Sequence, residues 1–162
     1  MQVRAGRPAR TASTWGALAA AVTTSSADQL KQYVDTLEEA YEFCLAYAAQ
    51  GVSGESGRGG QVREYLNRAD AALNGLADLF LALVEERNLQ PLERYRRFLD
   101  VLRQDASAAQ AAIQMVLAQP AVSSPLIDNL NASIHLRALL TDVFIIDEIL
   151  RPQIARADTP RA

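Results

Sequence analysis

The stretch VREYLNRADAALNGLADLFLALVEERN, residues 62–88, decides the fold class. Val62, Leu66, Ala69, Leu73, Leu76, Phe80 and Leu83 recur at alternating spacings of four and three, the interval that lines up side chains on one face of an α-helix. A strand would need alternation at every second residue, and the segment has none. Asn74-Gly75 is the discordant signal, because this dipeptide favours a turn and a glycine inside a helix costs about 1 kcal/mol. The apolar stripe stays in phase across it, so the segment reads as one helix.

Working outward, the preceding segment ADQLKQYVDTLEEAYEFCLAYAAQ (27–50) repeats the pattern with Leu30, Val34, Leu37, Tyr41, Cys44 and Ala48. Ser26 with Gln29 supplies a capping box at its start. On the other side, Gln90-Pro91 ends the second helix near Asn88 and restarts the chain, since proline suits a first helical position that has no amide bond to make. The third stripe is Leu92, Tyr95, Leu99, Leu102, Ala106, Ala109, Ile113 and Val116. Ser124-Pro125 opens a fourth helix and Arg151-Pro152 closes it. Four such stripes, without a strand signal between them, predict an all-α, antiparallel four-helix bundle over residues 26–152. Residues 1–25 form a basic, Ser/Thr/Ala-rich extension, and 153–162 a disordered tail.

Composition sets the outer limits. The chain has 162 residues, is 49% hydrophobic and carries a net charge of -3. That is enough apolar material for one domain with its own core, and the charge gives no general attraction for nucleic acid. Cys44 is the single cysteine, so neither an internal disulfide nor a thiolate metal site is expected. The richest apolar run, LTDVFIIDEIL, is interrupted by Asp142, Asp147 and Glu148, which argues against a membrane span. Arg4, Arg7 and Arg10 with no acid make the N-terminal extension basic. It reads as a mobile segment with a short helix around Trp15 to Val22. Its order of arginines, then WGALAAAV, then small residues also half resembles an export signal. A cytoplasmic location is the default expectation.

Several groups invite a catalytic reading. GVSGESGRGGQ, residues 51–61, has five glycines but matches neither the P-loop nor the dinucleotide fingerprint, and it reads as a connector between helices. Arg58, Gly59 and Gly60 precede a helix start whose free amides would accept an anion. Glu39 and Glu42, followed by Glu64 and Asn67, resemble the paired ExxE and ExxD motifs of MazG-type all-α nucleotide pyrophosphohydrolases. That resemblance implies Mg²⁺-dependent hydrolysis of nucleoside triphosphates. Asn67 stands where the pattern has an acid, and the register turns all three glutamates away from the core. His135 is the single histidine. Its surroundings, SIHLRALL, lack the lysine and glycine of histidine phosphotransfer domains, so it reads as a surface residue. The cluster LERYRRF, with its flanking acids Glu93 and Asp100, reads as a solvated, ion-paired face rather than a nucleic-acid site. No cofactor and no metal are expected.

The fourth helix is different. Leu136, Leu139, Leu140, Val143, Phe144, Ile145, Ile146, Ile149 and Leu150 cover most of its circumference, leaving Arg137, Thr141 and Glu148 as a narrow polar strip. A helix apolar nearly all round needs cover on most sides, which three companions do not give. Leu140, Phe144, Ile145 and Ile149 are therefore the expected interface, with Asp142 and Asp147 pairing to arginines to fix register. Trp15, Leu18 and Val22 are the alternative cover from within the chain. The expected function is a non-catalytic helical protein–protein interaction module of adaptor, chaperone or assembly-factor type, bound to another protein or to itself.

Overall fold

A computed structural model describes residues 25–51 and 59–157, and every regular element among them is helical. The elements are α1 (Ser26–Ala48), α2 (Gly59–Leu73), α3 (Leu76–Glu86), α4 (Leu92–Leu117), α5 (Ser124–Ala132) and α6 (Ile134–Ala157). The extension's Trp15, Leu18 and Val22, like Arg58 of the glycine loop, lie outside the described residues.

The core forms where the stripes meet. α1 packs on α2, α3 and α5, while α4 packs on α2, α3, α5 and α6. Every member of the 62–83 stripe is buried, as are Leu99, Leu102, Ala106, Ala109, Ile113 and Val116 of α4. In α1 the stripe is shifted at its C-terminal end: Ala40 and Tyr47 are buried, and Tyr41 and Ala48 are only half-buried. Tyr47 belongs inside because its hydroxyl has a partner there, donating to the Val122 carbonyl at 2.6 Å. Ser124 answers by donating its hydroxyl to the Tyr47 carbonyl at 2.7 Å.

Two helices expected to be continuous are broken. The second divides at Asn74-Gly75, where Gly75 takes φ 80°, a left-handed conformation that costs glycine nothing. The carbonyl of Asp70, deprived of a full helical partner, accepts from the Gln110 side chain on α4 at 3.1 Å, and Gln114 holds the Asp70 carboxylate at 2.9 Å. Leu73 and Leu76 are both buried on either side of the break, so the apolar spacing carries no trace of it. The fourth helix divides at Ser133, whose extended backbone ends α5 and whose carbonyl accepts the first bond of α6 from the Arg137 amide.

Helix ends show three further differences. The cap of α1 is one residue earlier than expected: Ser25 accepts from the Asp28 amide, and its hydroxyl donates to the Asp28 carboxylate. Pro91 is the N-cap of α4 rather than its first helical residue. Pro152 does not stop the last helix, which runs on to Ala157. There the Gln153 amide donates to the Ile149 carbonyl at 2.9 Å and to the Tyr95 hydroxyl at 3.1 Å, tying the continuation to α4. The end of α3 is as expected and has a physical stop. Asn88 adopts φ 51°, and the amides of Asn88 and Leu89 return to the carbonyls of Glu85 and Val84 in a Schellman closure.

Candidate functional site

Helix α6 has two unlike faces. Leu136, Leu139, Leu140, Val143, Ile146 and Leu150 are buried and fasten it chiefly to α4. Phe144, Ile145 and Ile149 face outward at 47%, 43% and 44% exposure, and Ile134 at 75%. Among the described residues seven large apolar side chains are exposed, and these four share one helix face while Leu45, Val101 and Met115 stand on other helices. Isolated exposed hydrophobics are ordinary, whereas a contiguous patch is not. With Thr141 and Glu148, the residues Phe144, Ile145 and Ile149 line a shallow depression of about 520 Å³. Leu140, expected in this face, lies in the core instead: it falls on the side of the helix occupied by Leu136 and Val143.

The two aspartates part company. Asp147 pairs with Arg151 one turn on, as expected. Asp142 meets Asp105 of α4 rather than an arginine, and its Oδ2 is buried without a hydrogen-bond partner among the described residues. Burial raises the Asp142 carboxyl to about 6, and the neighbouring Asp105 carboxyl adds to the rise. Asp105 follows the core residue Leu102 at the edge of the α4 stripe, and an acid at such a position was the sequence's one hint of the pair.

The other candidates separate in space. Glu39, Glu42, Glu64 and Asn67 are all exposed, and Glu39 is held by Arg68 at 2.9 Å. No three acids, histidines or cysteines among the described residues stand close enough together to hold a metal ion. Gly59 and Gly60 form the first turn of α2, and a Cβ at Gly60 would meet open space. His135 is exposed. Cys44 is buried, and desolvation pushes its thiol up to about 12, which leaves no thiolate for chemistry at neutral pH. In the LERYRRF cluster Arg96 is bound by Glu85 at 2.9 Å and Glu93 at 3.2 Å, and the neighbouring Arg103 by Asp78 and Asp100. Where α1 and α6 diverge they leave a groove of about 790 Å³ lined by Leu30, Val34, Glu38, Arg87 and Asp147 among others. Its rims carry the Lys31–Asp35 and Arg151–Asp147 pairs, which neutralise one another.

One exposed residue on this side of the helix escaped the sequence reading. Ile134 lies on the same side about three turns from Ile145, and it was missed because the helix was expected to run unbroken from Ser124. Among the described residues no helix is long and apolar enough to cross a membrane. No protein-family model, no curated protein and no solved structure matches the chain.

Proposed function

We propose that the chain is a non-catalytic helical protein–protein interaction module whose docking surface is the outward face of α6. The observation that carries this reading is the clustered exposure of Phe144, Ile145 and Ile149, with Ile134 further along the same side, on a helix whose opposite face is fixed in the core. Burying several such side chains is worth about 1.5–3 kcal/mol each relative to full exposure, and less here because they are already half covered. In this reading α2 with α3, and α5 with α6, act as two jointed arms of an antiparallel four-helix bundle, with α1 and α4 as the others. The rigid frame presents the face, and the partner supplies the cover. The buried single cysteine suits a reducing compartment such as the cytoplasm.

The test is a photo-cross-linking residue placed at Ile145 in the full chain and irradiated in the cells that make it. An adduct of discrete mass is expected from position 145 and not from the exposed position Gln104 on α4. Absence of any adduct at 145 would sink the reading.

A further inference from the structure

The exposed face of α6 is complementary to itself. We propose that its occupant is the same face of a second copy, laid antiparallel about a two-fold axis near Thr141 and Ile145; this rests on the docking reading above.

Three observations carry it. First, Ile134, Ala138, Thr141, Ile145, Glu148 and Pro152 follow one another at spacings of four and three, so the outward strip is itself a straight seam of the kind that packs along another helix. Second, the charges on that strip suit one alignment only. Arg137 and Glu148 stand about three turns apart, at roughly equal distances from the Thr141–Ile145 level. Among the described residues Arg137 has no ion pair, and Glu148 reaches only the exposed Arg151, at 3.9 Å. A two-fold axis between them brings each Arg137 against the other copy's Glu148, and symmetry makes the contact twice. Parallel alignment would instead set Arg137 on Arg137 and Glu148 on Glu148. Third, the polar residue at the centre is already satisfied: the Thr141 hydroxyl donates to the Arg137 carbonyl at 2.8 Å. Covering it with an aliphatic side chain leaves no hydrogen bond unmade. Its small size also gives Phe144 and Ile145 of the second copy room to approach.

The experiment is sedimentation equilibrium of the full chain and four variants, with circular dichroism to verify that each is folded. The natural chain is expected at twice its 17.6 kDa mass at micromolar concentration. Ile145→Glu is expected to be monomeric. Arg137→Glu and Glu148→Arg each replace two attractions by two repulsions, and each is expected to weaken the dimer about tenfold. The double variant Arg137→Glu/Glu148→Arg restores the pairing with signs exchanged, and its association returns to near the natural value. A natural chain that stays monomeric at high concentration overturns the proposal, as does a dimer indifferent to Ile145→Glu, or a double variant no tighter than the singles. The cross-linking experiment keeps the two readings apart. Adducts at 145 to a different protein, or to residues 1–24 of the same chain, overturn self-pairing while leaving the face a docking surface. No adduct at all removes both.

Discussion

Among the described residues, Asp142 is the carboxylate whose surroundings most disfavour its charge. Its carboxyl titrates in the folded protein at about 6, against about 3.9 in an unfolded chain. Between those values the folded protein holds a proton that the unfolded chain has released, so stability falls as pH rises from 4 to 6 and is lowest above 6. Urea midpoints measured from pH 4.5 to 8 are expected to decline over that window for the natural chain. Asp142→Asn is expected to flatten the decline and to raise the midpoint at pH 8. A midpoint lowered at pH 8 would mean that a donor or cation stabilises the carboxylate and outweighs its burial beside Asp105. Two other side chains act as fasteners between distant segments. The Arg63 guanidinium of α2 donates to the Leu117 and Gln119 carbonyls, where the negative end of α4 has no helical donors left. Arg63→Ala is expected to cost about 1.5–3 kcal/mol, the range for hydrogen bonds with a charged partner, read from chemical denaturation. Tyr47→Phe removes the donor from a buried carbonyl and is expected to cost about 1–3 kcal/mol.

At the scale of the element, the break between α2 and α3 has a test that depends on sign. In a continuous helix Gly75→Ala would stabilise the protein by about 1 kcal/mol. At φ 80° it places a Cβ in a left-handed backbone and is expected to destabilise by about 1 kcal/mol or more, although no neighbouring atom obstructs it. Gly60→Ala, on the helical backbone of α2, is expected to be neutral or stabilising by up to about 1 kcal/mol, with both differences read from thermal melts. The contrast shows what the sequence discloses. The helical class, the stripe from Val62 to Leu83 and the stripe of α4 were readable because burial enforces periodicity. The break at Gly75 was not, because it preserves the phase of the buried side chains while changing only the backbone; at Ser133 the buried face does change, from Ile127 and Leu130 to Leu136 and Leu139, but the helix is apolar on so many sides that its sequence shows no shift. Asn74-Gly75 carried the correct local signal, and the stripe overrode it wrongly. Pro152 erred the other way: a residue that usually ends helices stands inside α6, and the continuation beyond it is tied to α4 through Gln153 and Tyr95. Of the candidate face, Phe144, Ile145 and Ile149 were readable from excess apolar character, whereas the inward position of Leu140 depended on which arc α4 covers.

On the scale of the whole molecule, α6 divides into an arc that holds the protein together and an arc that does not. Leu140→Ala is expected to cost about 2–5 kcal/mol through lost burial and the space left behind. Ile149→Ala, half exposed, is expected to cost under about 1 kcal/mol in urea unfolding at a concentration too dilute for association. Equal costs at the two positions would mean that the outward arc is packed within one copy. The stitch between Tyr47 and the segment Val122–Ser124 spans 75 and 77 positions of chain. During synthesis, therefore, the end of α1 leaves the ribosome long before its cover exists. An aromatic ring destined for complete enclosure stays open to chaperones until the fifth helix emerges, and translation stalled before Val122 would leave a nascent chain with an unsealed seam.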